Sequence, residues 1–224
     1  MLLHRIHLNP RCKEARRDLA DPYQMHATLC RAFFTANVRC PPGALLWRLE
    51  PETDAAGCPR VLIQSVYEPD WSRIEPQNWL AKSDPGKPIQ LEAIQAGQTF
   101  QFRLRANPCR TVLGKRQGLL KERDQRLWLE RKGASHGFTL TALPNADYFE
   151  FAAGHGSQAC PDLRITHDQM LIGRRHDGEQ ISVYSVLFEG RLTISDAERF
   201  CMALRHGIGH AKVMGLGMLS IRPA

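Results

Sequence analysis

Apolar periodicity in this chain of 224 residues runs through one order of elements twice, and that repetition constrains the fold more than any single motif. Leu2 to Leu8 alternates apolar and polar residues, as a strand with one buried face does. Residues 11–19 read as a charged connection. Asp21-Pro22 then opens a helix: Asp21 suits the N-cap, Pro22 the first helical position, and Gln24 stands at capping-box spacing. Met25, Leu29, Ala32, Phe33 and Ala36 form its apolar stripe, and Pro41-Pro42-Gly43 ends the unit. Leu45 to Leu49 and Arg60 to Tyr67 read as strands, a short helical piece follows around Trp71 to Lys82, and Ile89 to Leu91 offers a fourth strand. Pro85 to Gly97 is the link. Beyond it come a strand over Thr99 to Ala106, a helix over Glu122 to Gly133, and strands over Phe138 to Leu143 and Ile181 to Ile194. Ser195-Asp196 caps a helix running to about His206, and Met218 to Ile221 closes the series as a strand. Two βαββαβ runs predict an α+β fold of two tandem ferredoxin-like, RRM-like domains, residues 1–93 and 94–224. Residues 144–180, with His155 and His167, fit neither run, except that Arg174-Arg175-His176 before Asp177-Gly178 signals a hairpin. That topology hosts many activities, so function has to come from particular residues.

Charge narrows the partners. The chain carries a net +7, and residues 103–132 hold ten Lys/Arg against three acids, so this one segment accounts for the whole excess. A field of that kind draws phosphate polymers or anionic surfaces. Seven scattered cysteines include no CxxC pair, which argues against a zinc knuckle or a disulfide framework. Neither a signal-peptide pattern nor a long apolar run is present, so the expected location is cytoplasmic, with no membrane partner.

Near the end, Gly207-Ile-Gly-His-Ala-Lys-Val-Met-Gly-Leu-Gly217 sets four glycines around Lys212. Glycine-rich backbone with free N–H groups can cradle phosphate, and the same spacing also suits a tight turn before a last strand. It matches neither a Walker A loop nor a dinucleotide fingerprint. His206 and His210 have i, i+4 spacing, but intervening glycines argue against a regular helix and a zinc pair. With no HExxH motif, no EF-hand loop and no compact carboxylate cluster, the expectation is no metal and no cofactor.

Four blocks make the chain resemble the CasE family of CRISPR RNA endoribonucleases, which are also subunits of the type I-E Cascade complex. They are Ala15-Arg-Arg-Asp-Leu-Ala-Asp-Pro-Tyr-Gln-Met-His26, Phe102-Arg-Leu-Arg-Ala-Asn-Pro108, Phe188-Glu-Gly-Arg-Leu-Thr-Ile-Ser-Asp196, and Gly207 to Leu219. They occur in the family's order and span almost the whole chain. The resemblance implies two ferredoxin-like domains, metal-free cutting of the repeat transcript at the base of a hairpin, and retention of that hairpin as a guide RNA. It also implies two kinds of partner, the CRISPR repeat RNA hairpin and other Cascade subunits. Tyr23 and His26 fall on the family's proton-transfer positions; the loop position of His210 receives no role.

Such cleavage needs a proton taken from the 2′-OH, a proton given to the leaving oxygen, and a stabilised phosphate. Tyr23 and His26 stand about 60° apart on one helix, at the end that favours phosphate. Which is acid and which base stays open, and each also reads as a packing residue between domains. Arg31 lies on another face. For RNA contact the candidates are Arg103 and Arg105 on one strand face, Lys115, Arg116, Arg126 and Arg131 along the basic segment, Arg174 and Arg175 at the hairpin, and Lys212 with Gly207, Gly209, Gly215 and Gly217 in the loop. No RNP1-type aromatic pattern is present, so base stacking on the sheet is not expected. A noncatalytic hairpin-binding subunit is the alternative reading; a metal-dependent nuclease lacks its carboxylates.

Overall fold

A computed structural model describes residues 1–35, 40–41, 43–142, 161–175 and 177–224. Ala36, Pro42, Leu143, His155 and His176, which enter the sequence reading, lie outside the described residues. In chain order the elements are β1 (Leu2–Leu8), α1 (Lys13–Ala20), α2 (Pro22–Phe33), β2 (Leu45–Thr53), β3 (Pro59–Ser65), β4 (Leu80–Ser83) and β5 (Lys87–Pro88). Then follow β6 (Thr99–Ala106), β7 (Cys109–Val112), β8 (Lys115–Gly118), α3 (Glu122–Ser135), β9 (Phe138–Leu140), β10 (Leu163–Arg174), β11 (Gln180–Ile194), α4 (Ala197–His206) and β12 (Leu219–Pro223).

Each half builds its own antiparallel sheet. The first runs β2-β3-β1-β4, with β5 also on β1; the second runs β10-β11-β6-β12, with β9 also on β11. Both orders are those of a ferredoxin-like fold, in which the first and third strands lie side by side at the centre. In the second sheet β9 and β10 share one strand position, since Phe138–Leu140 and Leu163–Arg174 pair with successive stretches of β11.

Local chemistry explains where the elements start. The Asp21 carboxylate accepts from the backbone N–H of Tyr23 at 2.9 Å and of Gln24 at 3.4 Å, so it caps α2 as the sequence predicts. The reciprocal half of a capping box has no free donor, because the Asp21 N–H already bonds to Arg17 O at the end of α1. Asp196 caps α4 through the Arg199 N–H. Met25, Leu29 and Ala32 of α2 are buried against Ile6, Val61 and Ile63 of the first sheet. Trp128, Leu129, Phe200 and Leu204 of α3 and α4 cover the second.

Several elements differ from the sequence reading, among them β10, which lies in the stretch that fitted neither run. Residues expected as a charged connection form α1, whose buried face is only Ala15 and Asp18. The Asp18 carboxylate is satisfied by the indole N–H of Trp79 at 2.9 Å and by Arg17 at 2.7 Å. The helical piece expected from Trp71 is two 3₁₀ turns, 71–73 and 77–79, and its end is strand β4. The fourth strand is therefore β4 and β5 rather than 89–91, where Leu91–Ala93 is a 3₁₀ turn. Finally, β7 and β8 form a small hairpin turned at Leu113 and Gly114, both with positive φ.

The two sheets are clamped together. Arg48 of β2 is 1% exposed and donates to Glu50 at 2.7 Å, Ser220 Oγ at 2.8 Å, Arg103 O at 3.0 Å and Met218 O at 3.2 Å. Gln64 of β3 donates to Leu204 O of α4 at 2.6 Å. No helix among the described residues is long and apolar enough to cross a membrane.

Candidate active site and RNA interface

The start of α2 meets the second half of the chain. Tyr23 packs on an apolar cluster of Val183, Met214 and Leu216. Strand β10 passes directly alongside: a Cβ on Gly173 would lie 2.9 Å from Met214 Sδ and 3.0 Å from the Tyr23 ring. The Arg174 N–H reaches Asp21 Oδ2 at 3.3 Å, which ties the β10–β11 hairpin to the cap of the candidate catalytic helix. Gly173 is thus a site residue the sequence reading missed; a glycine inside a strand, just before two arginines, was the available signal.

His26 stands about one turn further along α2. Burial alone pushes its imidazole down to about 4, so the ring is neutral at pH 7. Its Nε2 lies 3.6 Å from Cys30 Sγ, and its buried Nδ1 has no hydrogen-bond partner. Cys40 closes on the same group: His26, Cys30 and Cys40 place their ligand atoms within 4.8 Å of one another. The contact between the thiols, then burial, raises Cys30; the same contact lowers Cys40.

The basic candidates separate. Arg174 and Arg175 are exposed at the hairpin end, and Arg175 pairs with Glu179 at 2.8 Å across the turn. Lys115 and Arg116 are exposed on β8. Arg116, Lys132 and Lys212 gather around His210, whose imidazole is lowered by burial and then by those three charges. Burial and Lys132 likewise lower the Lys212 ammonium. Lys132 thus joins the expected Arg116 and Lys212 in a concentration of cations around a neutral His210 at the loop. Arg126 lies 4.0 Å from Glu130 on α3, and Arg131 is exposed there.

Arg103 and Arg105 are placed otherwise than expected. The Arg103 guanidinium is held by Glu50, by Glu189 at 2.7 Å and by Glu52 at 3.2 Å, so carboxylates already take its donors. Arg105 is 8% exposed, reaches Ser185 Oγ at 3.4 Å and leaves its Nε unpaired. Burial, followed by the nearby Arg48 charge, lowers it. Arg103 thus joins Glu50 and Glu52 of the first sheet to Glu189 of the second, while the Arg105 side chain bonds within the second sheet.

Three of the loop glycines also have structural reasons. Their N–H groups are spent inside the protein: Gly207 on Ala203 O, Gly215 on Lys212 O, and Gly217 on Arg105 O at 2.7 Å. A Cβ on Gly215 would stand 2.8 Å from the Trp47 ring, and φ there is +75°. Gly207 and Gly215 thus close the loop against Leu46 and Trp47 of the first half, and Gly217 ties it to β6 of the second.

Comparison with known proteins finds likeness over the full length. The profile of the family described as CRISPR associated protein matches residues 1–223. The CRISPR-associated endoribonuclease Cse3 of Thermus thermophilus is 39% identical, with all of both chains covered. This chain belongs to that family. The Cascade subunit CasE of Escherichia coli K12 is 29% identical over 93% of this chain and 96% of its own. Among solved structures, Cse3 bound to a 19-nucleotide RNA superposes with a TM-score of 0.80 at 38% identity, covering 100% of each chain. Cas6e of Escherichia coli K-12 gives 0.64 at 28% identity, again with both chains fully covered. The family assignment and the tandem ferredoxin-like fold expected from the sequence both stand.

Proposed function

We propose that this CasE/Cse3 family member is the endoribonuclease that cuts CRISPR precursor transcripts at their repeat hairpins and keeps the hairpin product within a Cascade-type complex. The observation that carries the reading is the junction at α2. It sets Tyr23 beside a hairpin that presents Arg174 and Arg175, with His26 about one turn further along the same helix. Full-length likeness to an endoribonuclease and to a Cascade subunit supports it.

In this mechanism the 2′-OH attacks the adjacent phosphorus, the 5′-oxygen leaves, and the products are a 2′,3′-cyclic phosphate and a 5′-OH. Tyr23 and His26 divide the two proton transfers. The helix end and neighbouring arginines offset charge on the crowded phosphate. The chemistry requires no metal. A domain division near residue 93, with the catalytic helix in the first unit, and a cytoplasmic location belong to the same reading.

The test is single-turnover cleavage of the host's repeat RNA in chelator. His26→Ala lowers the rate by about 10²–10⁴-fold, the range for a lost general acid or base, with hairpin affinity retained. Tyr23→Phe has a smaller effect in the same direction. A wild-type rate in His26→Ala removes His26 from the mechanism. RNA bound but left intact by the wild type makes the chain a noncatalytic hairpin binder.

A further inference from the structure

The cluster of His26, Cys30 and Cys40 has no part in the cleavage chemistry beyond His26 itself. Its donors are one imidazole nitrogen and two thiol sulfurs, the set that borderline and soft cations take in preference to oxygen. Two of them come from one helix face, since i, i+4 residues stack one above the other. Cys40 returns from beyond the helix to complete the triangle, with all three ligand atoms within 4.8 Å. The separations match a metal. Zinc bonds of about 2.3 Å to sulfur and about 2.05 Å to nitrogen, opened to a tetrahedral angle, place S and N about 3.6 Å apart. Cys30 Sγ and His26 Nε2 are 3.6 Å apart without any ion. Both cysteines are free thiols.

We propose that His26, Cys30 and Cys40 form a Zn²⁺ site with an open fourth position, and that zinc bound there shuts off cleavage. Binding replaces the two thiol protons, which pass to solvent, with sulfur–zinc bonds, and the His26 Nε2 lone pair goes to the metal. A ligated Nε2 can neither accept nor deliver a proton. The inhibitory consequence rests on the role proposed for His26; zinc binding does not.

Cobalt reports the site directly, because thiolate-to-Co²⁺ charge transfer absorbs in the near ultraviolet. Reduced full-length protein titrated with Co²⁺ develops this band, saturating at one ion per chain, and Zn²⁺ bleaches it. Cys40→Ser and Cys40→Ala both lose the band while cleaving repeat RNA in chelator at the wild-type rate. Added Zn²⁺ slows wild-type cleavage by about 10²-fold or more, the scale of a lost general acid or base. Chelator restores it, and neither variant responds. No band in the reduced wild type, or an undiminished band in both variants, overturns the site. A mass loss of two hydrogens in air with no cobalt band in the reduced protein also overturns it, in favour of a Cys30–Cys40 disulfide. Zinc inhibition that persists in both variants overturns the inhibitory part. A saturable band in a protein that never cleaves leaves the metal site standing and defeats the catalytic reading instead.

Discussion

At the scale of single residues, Gly215 and Lys212 sit three positions apart and do different work. Gly215 holds φ at +75° with the Trp47 ring where its Cβ would go. Gly215→Ala therefore forces a left-handed alanine into an aromatic face, and each such strained residue costs about 1–3 kcal/mol. The expected result is a lower denaturant midpoint, with RNA affinity reduced only as far as the loop is displaced. Lys212→Ala removes a cation from the concentration that Arg116 and Lys132 form with it around His210. Its stability stays near wild type, its RNA affinity falls, and the slope of log K against log salt drops by about one phosphate contact. Titrations at several salt concentrations check this; unchanged slope and affinity would make Lys212 a bystander. His26, Tyr23 and Lys212 could be picked out in the sequence by their blocks and by family resemblance. The bond of Gly217 could not, because its carbonyl partner Arg105 stands on β6, more than a hundred residues away in sequence; Gly207 and Gly215 close the end of α4 on Ala203 and a local turn on Lys212. Cys40 joins His26 only through a tertiary return ten residues beyond Cys30.

At the scale of elements, legibility followed the way each one is buried. Helix α2 announces itself because a cap, a proline and an aliphatic stripe agree. Helix α1 does not: its sequence is mostly charged, and its buried face is an alanine and an aspartate satisfied by Trp79 and Arg17. Strand β10 is exposed along most of its length, so it has no apolar alternation to read, and only the Asp177-Gly178 turn marked it. That hairpin carries the element-scale prediction. Arginine can take two acceptors on a guanine edge or grip a phosphate, and the A-form major groove becomes accessible near a stem end. Arg174→Ala and Arg175→Ala are each expected to reduce discrimination between the correct stem and one with swapped base pairs, by about 1–3 kcal/mol for a bidentate base contact. Both stems are measured against each variant at one fixed salt concentration. Equal losses on the two stems would assign these arginines to the backbone and move sequence selectivity elsewhere.

At the scale of the whole molecule, the candidate site exists only because two sheets are held in one relation. Helix α2 belongs with the first sheet; the β10–β11 hairpin and the glycine loop belong with the second. Arg48 fixes that relation from a fully buried position, giving its protons to Glu50, two backbone carbonyls and Ser220. The carbonyls of Arg103 and Met218 lie on the second half, so the bonds cross the junction. Removing one partner of a buried ion pair costs about 3–5 kcal/mol, since the group left behind is neither solvated nor paired. Glu50 keeps Arg103 when Arg48 is lost, which sets the expectation for Arg48→Ala at the lower end of that range. Denaturant unfolding measures it. The same variant is expected to lose cleavage at saturating RNA under conditions where it remains folded, because a small misplacement of Tyr23 and His26 relative to a hairpin-held phosphate costs rate more than affinity. Wild-type stability would show that the junction is held by the apolar contacts of Leu46 and Trp47 with the loop. Lost stability with an unchanged single-turnover rate would show that the second half positions the RNA without needing a fixed angle to α2.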